Sequence, residues 1–217
     1  MPDIINLQVT FEMDSAGVLF SRAEPPHLDA LVCRVLVPLK LGDRRTSSAN
    51  PDDPLEEITL PIPMARINGS EVYRASALFP DGDIESIRYW RKRFRQDRAE
   101  LTTGSPNLTN STYKEYNMPM VINNCRYLVG WMAAYSIRDI KALLRKVRYI
   151  GKKSAQGLGR VISVTVEPVN DDYALTRDGA AMRYYPHEQG WKSVRPTPPY
   201  WHNSGRVLCL APGDAIE

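Results

Sequence analysis

Apolar and polar residues alternate at the start of the chain. In "IINLQVTFEM", Ile5, Leu7, Val9 and Phe11 fall on one side of an extended backbone, which predicts a strand. In "HLDALVCRVLVPLKL" the spacing changes to three and four, with Leu28, Leu31, Val32, Val35, Leu36 and Leu39 on one face of a helix. Prolines before it suit a first turn, and Pro38 is expected to end or kink it. "ITLPIPMARI" and "EVYRASALF" flank "NGS", a hairpin turn signal, and the prolines of the first run assign it to a sheet edge. "CRYLVGWMAAY" predicts a buried strand. "SIRDIKALLRKVRYI" predicts a helix with apolar stripe Ile137, Ile140, Leu143, Leu144 and Val147, capped by Ser136 with Asp139 three residues on. "RVISVTVEPV" predicts the next strand and "RVLCLA" one more near the end.

The order strand, helix, two strands, helix, strand is the β-α-β-β-α-β pattern of an α+β, ferredoxin-like (RRM-like) fold. It assigns residues 1–168 to that core and residues 169–217, rich in Pro, Tyr and Trp, to a C-terminal extension packed on it. Residues 80–119 form an insertion between the two middle strands, too long for a plain connection. Within it, Ile84, Ile87, Trp90 and Phe94 predict the stripe of a short helix, and "TTGSPNLTNSTYKEYN" predicts loop.

Composition changes this picture little and charge distribution changes it more. The net charge is only +3 on 217 residues, with an apolar fraction of 43% that suits a packed core. Yet Arg88 to Arg98 holds six basic residues against one acid, and Ser136 to Arg160 holds eight against one. Two basic runs on a nearly neutral chain point to a polyanion met on one face. Cys33, Cys125 and Cys209 are odd in number and widely spaced, so neither a disulfide framework nor a zinc site is expected. The first residues lack a basic run followed by an apolar one, and no stretch has transmembrane length. The expected location is cytoplasmic, with no cofactor, no metal and no membrane contact. The acids of "NPDDPLEE" lack the spacing of a loop that ligates a cation and predict a solvated loop.

The second basic run ends in "GKKSAQGLGR", Gly151 to Arg160. Its lysines follow the first glycine, which excludes a P-loop. A helix precedes it and a strand follows, the reverse of a dinucleotide site. What remains is a glycine-rich turn whose backbone N–H groups and flanking cations suit a sugar-phosphate backbone, or a plain turn with solvated lysines.

A ferredoxin-like core with "GKKSAQGLGR" between its last helix and last strand resembles the RAMP superfamily of CRISPR-associated proteins. Together with "EPPHLDALV", "YRASALF", "TYKEYNMPM" and "RPTPPYWHNSGRVLCLAP", it resembles the subunit of type IV effector complexes that holds the five-prime handle of the guide. The resemblance implies non-catalytic binding of CRISPR RNA. It implies handle contacts from Lys152, Lys153, Gln156, Gly157, Gly159 and Arg160, and it makes the 80–119 insertion a thumb lying against guide and neighbouring subunit. With Arg88, Arg91, Lys92, Arg93, Arg95, Lys114, Tyr116 and Arg145, these are the expected RNA-binding residues. Implied partners are the backbone RAMP subunits, the large subunit of the complex and target DNA near the handle. Trp90, Phe94, Tyr113 and Tyr116 interleave with the basic residues, which suits single-stranded RNA.

An enzyme remains the alternative. Processing endonucleases of the same superfamily place a histidine near the first helix, and His27 is the candidate here for a metal-independent cut within the repeat. The plain reading of His27 is a locally hydrogen-bonded residue at a helix start. A third reading is a protein-interaction module whose basic faces meet acidic partners.

Overall fold

The computed structural model describes residues 3–14, 17–20, 24–41, 60–82, 84–93, 115–200 and 202–216. Its first nine elements are β1 (Ile5–Met13), α1 (Leu28–Leu41), β2 (Phe79–Pro80), β3 (Glu85–Lys92), β4 (Tyr116–Asn123), β5 (Tyr127–Ala134), α2 (Ile137–Leu144), β6 (Val161–Pro168) and β7 (Thr176–Arg177). They are followed by β8 (Ala180–Ala181), β9 (Tyr185–Pro186), β10 (Lys192–Val194) and β11 (Val207–Leu210). The mixture is α+β. Among the described residues no helix is long and apolar enough to cross a membrane.

Four strands form one sheet in the order β2-β5-β1-β6, each antiparallel to its neighbour. The alternation read in β1 decides which face is buried. Leu7, Val9, Phe11 and Met13 lie in the core, together with Leu128 and Met132 of β5 and Val166 of β6. The apolar stripes of both helices complete that core through Leu28, Leu31, Val32 and Leu36 of α1 and Ile140 and Leu144 of α2. Gly130 is a fitting requirement: a Cβ there would stand 2.9 Å from a Leu28 methyl. Ser136 caps α2 by accepting the Asp139 N–H at 3.2 Å, as its spacing predicts. The opposite face of the sheet carries Gln8, Thr10 and Thr165 beside Trp131. Trp131 is covered there by Tyr173 and Arg177 of the C-terminal segment.

Three expectations are corrected. The stripe Ile84, Ile87, Trp90 is not helical: Glu85–Lys92 is a strand, paired over eight residues with β4, inside the stretch read partly as loop. A spacing of three splits across the two faces of a strand, and no core lies behind this segment to select a helix. Ile84 and Ile87 are 69% and 62% exposed. Phe94 lies outside the described residues. Pro38 does not end α1, which runs on to Leu41. The "NGS" turn is present, with Gly69 at φ +71°, but its flanks pair through single bridges, Arg66 to Tyr73, Met64 to Ala134 and Ala75 to Met132. Continuous pairing there is reduced to Phe79–Pro80. Prolines 61 and 63 lack the N–H groups a ladder needs.

The C-terminal segment adds the β7–β8 hairpin and a sheet of order β10-β11-β9, with a small core of Tyr184, Cys209 and Ala211. A fully buried ion pair ties it to the sheet and to α1. Arg183 and Asp29 are both 0% exposed, with the guanidinium 3.4 Å from Asp29 Oδ2. Arg183 also donates to the carbonyls of Tyr73, Ala75, Tyr184 and Pro196. Tyr200 donates its hydroxyl to Asp29 at 2.7 Å, and the Ala30 N–H adds a bond of 2.8 Å. Burial raises the Asp29 carboxyl above its ordinary value, and Arg183 then Tyr200 partly reverse this. Removing one partner strands a charge in the interior, so Asp29→Ala is expected to cost about 3–5 kcal/mol in denaturant unfolding. Arg183→Met, which also removes a donor from four carbonyls, is expected to cost at least as much; a loss under about 1 kcal/mol in either would show that the clasp is dispensable.

Candidate nucleic-acid interface

The loop from Gly151 to Arg160 is held by a short strap, Gly17–Phe20, that leads away from β1. The Lys152 N–H donates to the Leu19 carbonyl at 2.8 Å, and the Gly159 N–H to the Gly17 carbonyl at 2.9 Å. The glycines have different duties. Gly159 is buried at φ +69°, and a Cβ there would lie 1.8 Å from the Ile150 carbonyl oxygen. Gly151, at φ +87°, would place a Cβ 2.6 Å from the Leu19 carbonyl oxygen. Gly157, at φ +81°, has open space around it. Between them Ser154–Gln156 form a single 3-10 turn, closed by Gln156 and Gly157 donating to the carbonyls of Lys153 and Ser154. Of the backbone donors expected in this loop, Lys152, Gln156, Gly157 and Gly159 use their N–H groups within the protein. Among its side chains, Lys152 and Gln156 are exposed and Lys153 is half-buried.

The same strap holds the base of the β3–β4 hairpin. Val18 and Asn123 exchange both backbone bonds at 2.9 Å, and the Asn123 amide donates to the Phe20 carbonyl at 3.1 Å. Loop and hairpin thus share one edge of the molecule, although Trp90 and Lys153 stand 63 positions apart. Lys153 places its ammonium 3.3 Å from the centre of the Trp90 ring. Tyr116 meets Trp90 edge-on, with centroids 4.6 Å apart. Arg88 and Lys92 lie on the same strand face as Trp90 by their alternation. Arg91, on the other face, donates to Asn117 at 2.9 Å and lies over Tyr89. Arg91, Lys92, Arg93, Tyr116 and Asn117, with Glu115, line a shallow depression of about 350 Å³.

The remaining expected residues divide. Arg160 is exposed and lies 3.8 Å from Asp14, beside a depression of about 470 Å³ that also bears Glu12 and Arg126. Arg145 caps the C-terminus of α2 and is exposed. Arg95 and Lys114 lie outside the described residues. Among the described residues no group of three or more His, Cys, Asp or Glu side chains could hold a metal.

His27 sits in the interior, not in a cleft. It is 2% exposed and packs against the rings of Tyr184 and Tyr200, with centroids 5.0 and 4.7 Å away. Nδ1–H donates to the Pro25 carbonyl at 3.0 Å, and Nε2 accepts the Tyr184 N–H at 3.3 Å, which fixes the neutral tautomer. Both nitrogens are engaged and neither reaches a surface that an RNA could touch. Sequence reasoning missed the strap and the Lys153–Trp90 contact. Nothing local marks either, since both depend on pairing between distant segments.

Two predictions follow from this geometry. Gly159→Ala is expected to destabilise the fold by several kcal/mol, because backbone must move, whereas Gly157→Ala meets only the left-handed backbone penalty of about 1–2 kcal/mol; melting of both variants checks the order. Burial, and then the Arg183 cation, hold the His27 pKa well below its ordinary 6.5. Below about pH 6.5 the unfolded chain therefore takes up a proton that the folded chain refuses, and stability falls with pH. Between about pH 7.5 and 5.5 the wild type should therefore lose more stability than His27→Gln. The Asp29 shift, opposite in sign, is common to both chains. Equal losses would show that His27 does not titrate differently on folding.

No protein-family model matches the chain and no curated protein matches it in sequence, so the reading of this surface rests on its residues.

Proposed function

We propose that this protein is a non-catalytic, RNA-binding RAMP-type subunit that holds the five-prime handle of a guide RNA in a CRISPR effector complex. The observation that carries the reading is the meeting of the glycine loop and the β3–β4 hairpin in one cationic, aromatic surface, joined by Lys153 over Trp90. Cations with aromatic rings between them suit unpaired RNA, whose phosphates they neutralise and whose bases they stack. The sheet order β2-β5-β1-β6, with a helix in each crossover, supports a ferredoxin-like core. In that core the glycine loop enters the last strand, as in the RAMP proteins that the sequence resembles. The hairpin takes the place of the thumb. Ile87, Tyr89 and Val121 are exposed on its outer face, which suits contact with a neighbouring subunit of the complex. The burial of His27 supports binding over cleavage.

Target selection in this reading belongs to guide base pairing, and the protein supplies backbone affinity and fit. The test is end-labelled repeat RNA incubated with the protein in chelator and run on native and denaturing gels. A shifted, uncut RNA is expected. Lys152→Ala and Arg88→Ala should each lower the slope of log K against log salt by about 0.7, the value for one lost phosphate contact on a single strand. Cut RNA would overturn the non-catalytic reading, and absence of any shift across the salt series would overturn RNA binding itself.

A further inference from the structure

The geometry points to Trp90 as a stacking platform for one unpaired base, with Lys153 as the group that covers it until RNA arrives. This rests on the RNA-binding reading above and names the subsite within it. Three observations carry it. The ammonium of Lys153 sits 3.3 Å from the ring centre, on the π-face that a base would occupy. Lys153 reaches that position from a left-handed backbone, φ 63° and ψ 35°, which only glycine and a few polar residues adopt without penalty. The ring itself is positioned before any ligand comes. Tyr116 packs edge-on against it at 4.6 Å, and β3 is held in register by β4 along its whole length.

The flanking chemistry matches a nucleotide better than an acidic peptide. Arg88 and Lys92 stand two residues either side of Trp90 on the same face, each about 6.6–6.8 Å along the strand. One aromatic face between cations provides for one base and the phosphates on both sides of it. An acidic side chain would use the cations and leave the ring uncovered. A base stacked on Trp90 displaces the Lys153 ammonium, which then meets the adjoining phosphate, so a cation–π contact is exchanged for an ion pair and a stacked base. Lys152 continues the cationic line along the loop, where it is exposed.

The full chain is titrated with a fluorescein-labelled single-stranded repeat RNA, and with the same RNA made abasic at successive positions. Anisotropy and intrinsic tryptophan fluorescence are both followed. Trp90→Ala should weaken binding about five- to hundredfold, and Trp90→Phe should keep most of the affinity. One abasic position should weaken the wild type by a similar factor and Trp90→Ala hardly at all. RNA should quench tryptophan emission in the wild type more than in Trp90→Phe. The abasic arm on the wild type stands even where Trp90→Ala disturbs the hairpin. Binding by the wild type that is indifferent to every abasic position would overturn the platform and leave the RNA reading intact. Equal sensitivity of the wild type and a folded Trp90→Ala to the same abasic position would do likewise. No binding of any RNA by the wild type would overturn both.

Discussion

A guanidinium buried at 0% exposure is the constraint on which the arrangement turns. Arg183 has lost all water, and its desolvation is offset only if an anion and carbonyls surround it together. Those partners come from three places: Asp29 at the start of α1, Tyr73 and Ala75 at the sheet edge, and Tyr184, Pro196 and Tyr200 from the C-terminal segment. No two of these segments satisfy the group without the third. The clasp therefore acts as a condition on geometry as much as a source of stability. It fixes where α1 begins, and with it the stacked His27 and the Pro25 carbonyl that His27 binds.

Fixing the start of α1 has a consequence at the opposite end of the connection from β1. The chain between Met13 and Leu28 is anchored by the sheet on one side and by the clasp on the other. Its middle, Gly17–Phe20, carries backbone bonds to Asn123 on one flank and to Lys152 and Gly159 on the other. Loop and hairpin are thus both tied by backbone bonds to a common strand-like segment, with the Lys153–Trp90 contact added between them. Gly159 and Gly151 permit that close approach, since a Cβ at either would meet a carbonyl oxygen well inside contact distance. The glycine content of "GKKSAQGLGR" is explained in large part by packing against neighbouring backbone. Only Gly157 is left with open space.

The regular elements were legible because each rests on a local pattern. Alternation in β1 and the helical stripes of α1 and α2 bury most of the residues they single out, with Leu39 near the end of α1 the exception at 55% exposed. Ser136 caps where its spacing with Asp139 says it should. The β3 strand was not legible, because Ile84, Ile87 and Trp90 satisfy a helical spacing. What decides between helix and strand is a partner beginning at Tyr116, 24 residues after β3 ends at Lys92. The broken edge near Pro61 and Pro63 was half legible: proline forbids the ladder, but nothing in sequence says which single bridges survive. Of the candidate surface, the residue types were visible and their meeting was not. Arg183 gave no signal at all, since an arginine between Met182 and Tyr184 in a Pro- and Tyr-rich tail reads as solvated.

The cations of this surface are held, but held weakly, and the magnitudes say why that matters. Arg160 faces Asp14 at 3.8 Å with its side chain 65% exposed, and such a pair contributes roughly 0–1 kcal/mol. A cation over an exposed ring contributes about 0.5–1 kcal/mol, rising when water is excluded. A phosphate bound by the same cation gains a charge-assisted bond and releases condensed counterions, which the internal partners cannot match. Side chains left to solvent would lose rotamer freedom of up to about 2 kcal/mol each on meeting RNA. Lys153 and Arg160 have given up part of that freedom already, in contacts cheap enough to exchange. A strongly buried pair such as Arg183–Asp29 could never serve this purpose, because opening it would cost more than a phosphate returns. The chain therefore uses a fully desolvated ion pair to fix the frame and carries weak, exposed pairs on the candidate surface.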